Sequence, residues 1–554
     1  MIPTIAPKEN VFWRPLILCL VFASIAALPF FVIGEDQRVG CCGGEMPVTH
    51  DSWMHFNQMR AFARGLAAGR IYPRWDEETH GFGAPTASFY PPATYYLTSA
   101  FYFLTGKNWL GAWIGFYWLA AAGAACAMYA YAARRMSRGA ALLAAAVYVF
   151  GPYRLINQYQ RGAMAELLAF ALLPPALLFA ERLIEGDAGR RRHFLGLAAA
   201  YGAFLWAHPP TAYQFTLVFG VCLSIRGLAL REGRGIALAL GAMGFGAMLA
   251  AAYFLPAIAE QHLVHYDDVE RTWPYHASYV YDFAQKVYDH AGNPFFVRLD
   301  RIWAFNLGAL LLGAAILATG RPAKPRDRRD WWCWMAAGLL AAFLMTPWSA
   351  PVGRWIPKIE IGVFSWRMLA LIGFAMALLA GACIERAPRP WLGGLAGGLL
   401  LIATLAMSGW YVVWPMWRGQ AFAPNPEHYN FATLPRGAPR DVPNMAPVQT
   451  ASGNGRITVE RWAPEWRELR VELDRDDRLE FRTFHFPGWT ALVDGRPAEI
   501  HVGPVRNIVL DLPAGTHRVT LDFRATPIRR AGNAITILAF AGLLALLRID
   551  RRPH

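Results

Sequence analysis

Apolar stretches near 20 residues long dominate this sequence, and that is the length a helix needs to cross roughly 30 Å of hydrocarbon. About twelve can be drawn, near 15–33, 110–132, 139–152, 164–180, 194–212, 214–225, 235–257, 302–319, 331–348, 364–384, 391–413 and 532–547. The fifth and sixth are split by Ala207-His208-Pro209-Pro210 and read as one apolar hairpin. The first is too long for a signal-peptide core, and no small-residue cleavage site follows it. Composition agrees with this reading. Only 17% of the 554 residues are charged, against about 25% in soluble globular chains. A hydrophobic content of 55% excludes a disordered chain. The expected fold class is therefore an α-helical polytopic membrane protein.

The net charge of +14 sorts by loop. Alternate loops are basic: Arg134, Arg135 and Arg138; Arg190-Arg191-Arg192; Arg226, Arg231 and Arg234; the run from Arg321 to Asp330; and the tail from Arg548. With the N-terminus and Glu385 to Arg389, this set holds 22 Lys and Arg against 9 Asp and Glu, a net of +13. The remainder holds 31 against 30. The positive-inside rule puts the basic set in the cytoplasm, with both termini. No outer basic stripe is left for nucleic acid. Twelve of the 14 His fall on the outer side or at outer span ends. Span centres carry no Asp, Glu, Lys or Arg, which argues against an ion-coupled transporter. Arg154, Arg161, Glu166 and Arg367 gather instead at outer span ends, as a site at the membrane surface would need.

Three outer segments are long, about 34–109, 258–301 and 414–531. The last alternates apolar and polar residues, as in Ile457-Thr458-Val459-Glu460 and Leu469-Arg470-Val471-Glu472-Leu473, and Asp494-Gly495 marks a hairpin. Six to eight short strands predict an extracytoplasmic β-sandwich before the last span, preceded by a Pro- and Asn-rich linker over 422–448. The expected domains are a membrane core at 1–413 that includes the first outer loop 34–109, the linker and sandwich at 414–531, and a final span and tail at 532–554. Of the seven Cys, five sit in or beside spans, and adjacent Cys41 and Cys42 bridge poorly. No CxxC or HExxH pattern argues for a structural metal.

The first outer loop carries the strongest motif. Trp53, Phe56, Met59, Ala63 and Leu66 recur at helical spacing, predicting a surface helix near 51–68 that Gly69 ends. Asp51 then stands at its N-terminus, where a carboxylate caps well, and His55 follows one turn later on the same face. Arg60 and Arg64 are expected to meet lipid phosphates. The apolar stretch after Pro91-Pro92, ending at Gly106, is too short to span and predicts an interfacial helix.

The chain resembles the GT-C superfamily of polyprenyl-phosphate-dependent glycosyltransferases. More narrowly it is similar to bacterial membrane proteins described as 6-pyruvoyl-tetrahydropterin-synthase-related, and to the YfhO-like family. The resemblance rests on His50-Asp51 with His55, on Gly69-x-x-x-Pro73-Arg74-Trp75, and on Gly81-Phe82-Gly83-x-Pro85-x-x-x-Phe89-Tyr90-x-Pro92. It rests also on Arg161-Gly162-Ala163-Met164-Ala165-Glu166, His208-Pro209-Pro210-Thr211-Ala212, Ser365-Trp366-Arg367, and Phe486-Pro487-Gly488-Trp489 with Val493-Asp494-Gly495. No soluble synthase-like domain with a His metal triad accompanies it.

The resemblance implies an inverting transferase that takes a sugar from a polyprenyl-phosphate donor to a lipid, glycan or protein acceptor, on the outer face of the bacterial cytoplasmic membrane. It implies Asp51 as general base, with His55 and Glu166 as further catalytic candidates. His50, Arg74, Arg161, His208 and Arg367 are the substrate-binding candidates, since guanidinium binds phosphate in a bidentate way. Some members hold a divalent metal on carboxylates; here Asp51, Glu166 and Asp267 or Asp268 are the residues to examine. Asp51 is flanked by His, so the paired-acid pattern of protein mannosyltransferases is missing. The competing reading is a non-catalytic membrane protein, either a flippase for a lipid-linked precursor or a scaffold for cell-envelope assembly.

Overall fold

The computed structural model describes residues 13–28, 38–41, 44–47, 49–266, 275–282, 294–320, 325–356, 359, 364–414, 431–439 and 441–549. Each of the twelve apolar stretches is largely helical within those limits, with breaks at Phe150-Gly151, His208, Ala250 and Met345-Thr346. The helices are α1 (Trp13–Ala27), α2 (Ser52–Ala67) and α3 (Ala93–Leu104), then α4 (Trp109–Ala132), α5 (Arg138–Arg161) and α6 (Met164–Ile184). There follow α7 (Arg190–Ala207), α8 (Pro209–Ala229), α9 (Gly233–Leu249), α10 (Ala251–Ala259), α11 (Pro294–Thr319) and α12 (Pro325–Leu344). The last are α13 (Ser365–Arg386), α14 (Pro390–Val413) and α15 (Pro527–Ile549). Among the described residues, eight helices are long and apolar enough to cross a membrane. Counting two pairs that bend by 84° and 94° at a break raises this to ten.

Two compact units are present. The first comprises 1–50, 108–247 and 272–423. In it α13 packs on α5, α11, α12 and α14, and α4 packs on α1, α5 and α6. Small residues allow close approach, as between helices in lipid generally. A Cβ on Gly381 would lie 2.8 Å from the Ala140 carbonyl, and one on Gly393 would lie 2.3 Å from that of Ile384. Four elements are tied at one end by a buried ionic net: Arg135 and Arg226 share Asp330 at 2.9 and 2.7 Å, Arg135 also meets Glu181, and Arg226 meets Glu185 at 2.5 Å. These arginines belong to the basic loops assigned inside by charge.

The second unit comprises 51–107, 248–271 and 424–554. Its sandwich has one sheet of order β3 (Val448–Thr450), β6 (Asp477–Phe484), β10 (Asn507–Leu512) and β9 (His501–Val502). The other runs β4 (Arg456–Ala463), β5 (Trp466–Leu473), β11 (Gly515–Phe523), β7 (Trp489–Val493) and β8 (Arg496–Ala498). Asp494 and Gly495, at φ 50° and 77°, join β7 to β8 as a two-residue turn, because both central positions need positive φ. The apolar residues of the strands share one core with Trp75, Phe82 and Phe89 of the first outer loop. Phe82 stacks on Phe484 at 4.9 Å, and the Phe484 amide donates to the Phe82 carbonyl at 3.0 Å. Trp75 packs against Trp489 and Phe523. The buried Glu465 carboxylate accepts the amides of Arg74 and Trp75 at 2.5 and 3.1 Å and pairs with Arg70 at 3.3 Å. Loop and sandwich therefore fold as one body. Most of the expected linker lies outside the described residues.

Candidate functional site

The segment from Arg154 to Arg161 is buried although it reads Arg-Leu-Ile-Asn-Gln-Tyr-Gln-Arg. Its last five residues form a π-helical turn that ends at Gly162 in the left-handed conformation, φ 68°. Such turns inside helices are frequent at functional sites. The chain then reverses into α6, so Arg161 comes back over the first turn of that helix. Its Nη1 lies 2.7 Å from Glu166 Oε2 and 2.6 Å from Asn157 Oδ1. Tyr153 donates its hydroxyl to Glu166 Oε1 at 2.6 Å. Arg367, in the 3-10 turn that begins α13, brings Nε to 3.6 Å from the same carboxylate. That turn is held by Ser278, whose Oγ accepts the Ser365 amide at 2.7 Å.

His208 joins the group from the start of α8. The Thr211 amide donates to His208 Nδ1 at 3.3 Å, so His208 caps that helix. With Nδ1 accepting, the ring hydrogen of the neutral imidazole belongs on Nε2. His208 is close enough to Glu166 to interact with it electrostatically, as are both arginines. The cluster thus brings two guanidiniums, one carboxylate and an imidazole together in a buried place. Guanidinium and imidazole N–H groups are donors of the kind that bind anions. Arg154 lies two turns before Arg161. Its Nη1 donates to the Val149 carbonyl at 3.2 Å, while Nε and Nη2 have no partner among the described residues. Tyr153, Asn157 and the burial of Arg154 went unread in the sequence; the run of polar residues inside an apolar span was the available signal.

The first-loop candidates divide between the two units. His50 belongs to the helical unit, where its amide donates to the Gln160 carbonyl at 2.9 Å and its ring meets Phe295 edge-on at 5.2 Å. Asp51 and His55 belong to the second unit. Asp51 occupies the position before α2, but its side chain makes no capping bond. The backbone there, φ −107° and ψ 1°, departs from the extended conformation that aims a carboxylate at the first-turn amides. His55 is fully enclosed, with Nδ1 3.2 Å from the Tyr95 hydroxyl and Nε2 3.5 Å from that of Tyr90. Tyr95 also donates to Gln58.

Arg74 is buried, lies 3.9 Å over the Tyr72 ring and donates to the Ala252 carbonyl at 2.8 Å. Arg60 and Arg64 do not stand free for lipid phosphates. Arg64 pairs with Glu77 and Glu78 at 3.0 and 2.6 Å, and Arg60 with Glu78 at 3.6 Å, because the turn after α2 folds those acids back along the helix.

Asp76 was not singled out by sequence. Its carboxyl is buried, accepts the Glu78 amide at 3.0 Å and the Thr79 hydroxyl at 2.9 Å, and is pushed up to about 6 by burial. No group of three or more His, Cys, Asp or Glu among the described residues is placed to hold a metal ion. Asp267 and Asp268 lie outside the described residues.

The family model for the 6-pyruvoyl-tetrahydropterin synthase related domain, a membrane protein, matches residues 87–405. The chain belongs to this family. That match runs from before α3 into α14, so the cluster around Glu166 lies within the region that defines these PTPS-related membrane proteins. The membership expected from the sequence motifs is thereby borne out. By sequence, no curated protein matches this family member.

Among solved structures it is similar to ArnT from Cupriavidus metallidurans bound to undecaprenyl phosphate, at TM-score 0.42 and 16% identity over 71% of this chain and 64% of that one. It is similar also to the arabinofuranosyltransferase AftD from Mycobacteria, at TM-score 0.41 and 16% identity, with 77% and 27% covered. The oligosaccharyltransferase of Archaeoglobus fulgidus, in complex with Zn and sulfate, gives 0.37 and 12%, with 75% and 53% covered. The PTPS-related chain thus spans less than two thirds of each of these three chains.

Proposed function

We propose that this protein is an integral membrane glycosyltransferase that moves a sugar from a polyprenyl-phosphate donor to a lipid, glycan or protein acceptor on the extracytoplasmic face. The observation that carries the reading is the buried Arg161–Glu166–Arg367–His208 cluster, which gathers two guanidiniums and an imidazole around one carboxylate at the ends of four apolar helices. In this reading Asp51 accepts the proton of the acceptor hydroxyl as that oxygen bonds to the anomeric carbon. The bond from that carbon to the phosphate oxygen breaks, and its electron pair leaves with the lipid phosphate. Attack opposite the leaving group inverts the anomeric centre. In the helical unit, Arg161 and Arg367 are the donors proposed to hold a lipid phosphate, with Glu166 fixing their orientation. His208 presents an N–H to the same anion.

The experiment is complementation of a deletion strain. Wild type restores a glycan or glycolipid product; Asp51→Asn, expressed to the same level in the membrane, does not. Full restoration by Asp51→Asn removes Asp51 as the base. Translocation of a labelled polyprenyl lipid in liposomes, unaffected by that substitution, sinks the transferase reading in favour of a flippase.

A further inference from the structure

Helix α11 carries Arg298, Arg301 and Phe305 at spacings of three and four, so the three share one face at its N-terminal end. Neither arginine pairs with a carboxylate among the described residues. Arg298 Nη1 is buried without an acceptor. Arg301 donates from Nη1 to the Tyr411 hydroxyl at 2.8 Å, and its guanidinium lies 5.4 Å from the centre of that ring. Tyr411 sits in the π-helical turn Gly409–Val413 that ends α14, and its carbonyl accepts from Gln160 Nε2 at 2.9 Å. The turn is therefore held in place, and with it the hydroxyl that orients Arg301.

Below Arg301 a groove of about 870 Å³ opens, lined by Phe305, Ala403, Ala406, Met407, Trp410 and Trp414 among others. Its walls are apolar apart from the tyrosine. Trp410 is 65% exposed, and only 22% of the apolar window of either α11 or α14 is buried, so this face of the unit meets hydrocarbon. A cationic rim with two aromatic indoles beside it is the arrangement that an amphiphile with an anionic head would match.

We propose that this groove seats one anionic phospholipid of the bilayer, its phosphate between Arg298 and Arg301 and one acyl chain along the wall from Phe305 to Met407. The charge decides the class of lipid. Two cations without a carboxylate partner among the described residues stand on the helix face that carries Phe305, and the lining itself carries no charge to oppose an anion. The site does not depend on the transfer chemistry, since it uses none of the residues assigned to it.

The test uses the full-length protein in nanodiscs of phosphatidylcholine, alone or with phosphatidylglycerol, read by native mass spectrometry and thermal unfolding. The wild type is expected to retain phosphatidylglycerol and to unfold at higher temperature when it is present. The double variant Arg298→Gln/Arg301→Gln should lose about 30-fold in preference for phosphatidylglycerol over phosphatidylcholine, with its Tm in phosphatidylcholine unchanged. Ala406→Trp, which fills the groove and leaves both arginines, should lose retention too, and decides the matter where the double variant fails to fold. Equal retention by wild type and Ala406→Trp overturns the proposal, as does failure of the wild type to retain the lipid. Preferential retention of polyprenyl phosphate over phosphatidylglycerol, abolished by the same substitutions, overturns it as well.

Discussion

Replacing Glu166 by Gln separates a structural ion pair from an anion seat. The carboxylate has a side-chain exposure of 1%, and its partners Arg161 and Arg367 are 7% and 13% exposed at 2.7 and 3.6 Å. Gln keeps the shape and an acceptor for Tyr153, but it takes the shared carboxylate away from two buried guanidiniums. Breaking a buried pair by removing one partner costs about 3–5 kcal/mol. For a unit of this size that corresponds to a fall in Tm on the order of 10 °C. The substitution also makes the cluster more positive by one charge, so an anion should bind more tightly to the variant than to wild type. Added phosphate or polyprenyl phosphate should then recover part of the lost stability, as mass action requires of a ligand that prefers the folded state. The assay is thermal unfolding of both proteins in detergent, followed by tryptophan emission over a phosphate titration. A loss of stability that phosphate does not touch would leave the cluster as packing alone. A variant as stable as wild type would refute the electrostatic argument entirely.

Two further outcomes follow from the second unit. Burial pushes the Asp76 carboxyl up to about 6, above the usual carboxylate value of about 4, so between those values the folded state holds a proton that the unfolded state has lost. Its contribution to stability is therefore greatest near pH 4 and falls as pH rises through about 6, by up to about 3 kcal/mol; Asp76→Asn should flatten that part of a Tm–pH curve, and an unchanged curve counts against the buried acid. Glu465→Ala strips the acceptor from two buried amides and from Arg70, and should cost roughly 3 kcal/mol. Hydrogen exchange at Arg74 and Trp75 should quicken in that variant, and continued protection there would mean that the aromatic core holds the loop without it.

How much of this was legible in the sequence depends on the range of the interaction. Helices and hairpins are local, so apolar runs and the Asp494-Gly495 turn were enough to place them. Arg161 and Glu166 are five residues apart, and a reversal at Gly162 was sufficient to bring them together. Arg367 reaches the same carboxylate only because α13 packs against α5, which no local pattern encodes. The burial of Phe82 and Trp75 against Phe484 and Trp489 is of that kind as well: each aromatic reads alone as a loop residue, and only the shared core explains it. Asp51 failed as a cap because the backbone before α2 takes a conformation that the residue types do not dictate. Asp76, Glu77 and Glu78 read alike residue by residue, whereas the turn buries the first acid and brings the other two to Arg60 and Arg64.

The measurement that bears most directly on the proposed activity is release of free polyprenyl phosphate by the purified protein in proteoliposomes supplied with a mixed pool of polyprenyl-phosphate sugars and membrane acceptors. Wild type should release it with concomitant transfer of the sugar. Asp51→Asn should slow release by about 10²-fold or more, the range a general base supplies, while still binding the donor. Release at the wild-type rate by Asp51→Asn, or none by wild type with every donor in the pool, would contradict the account.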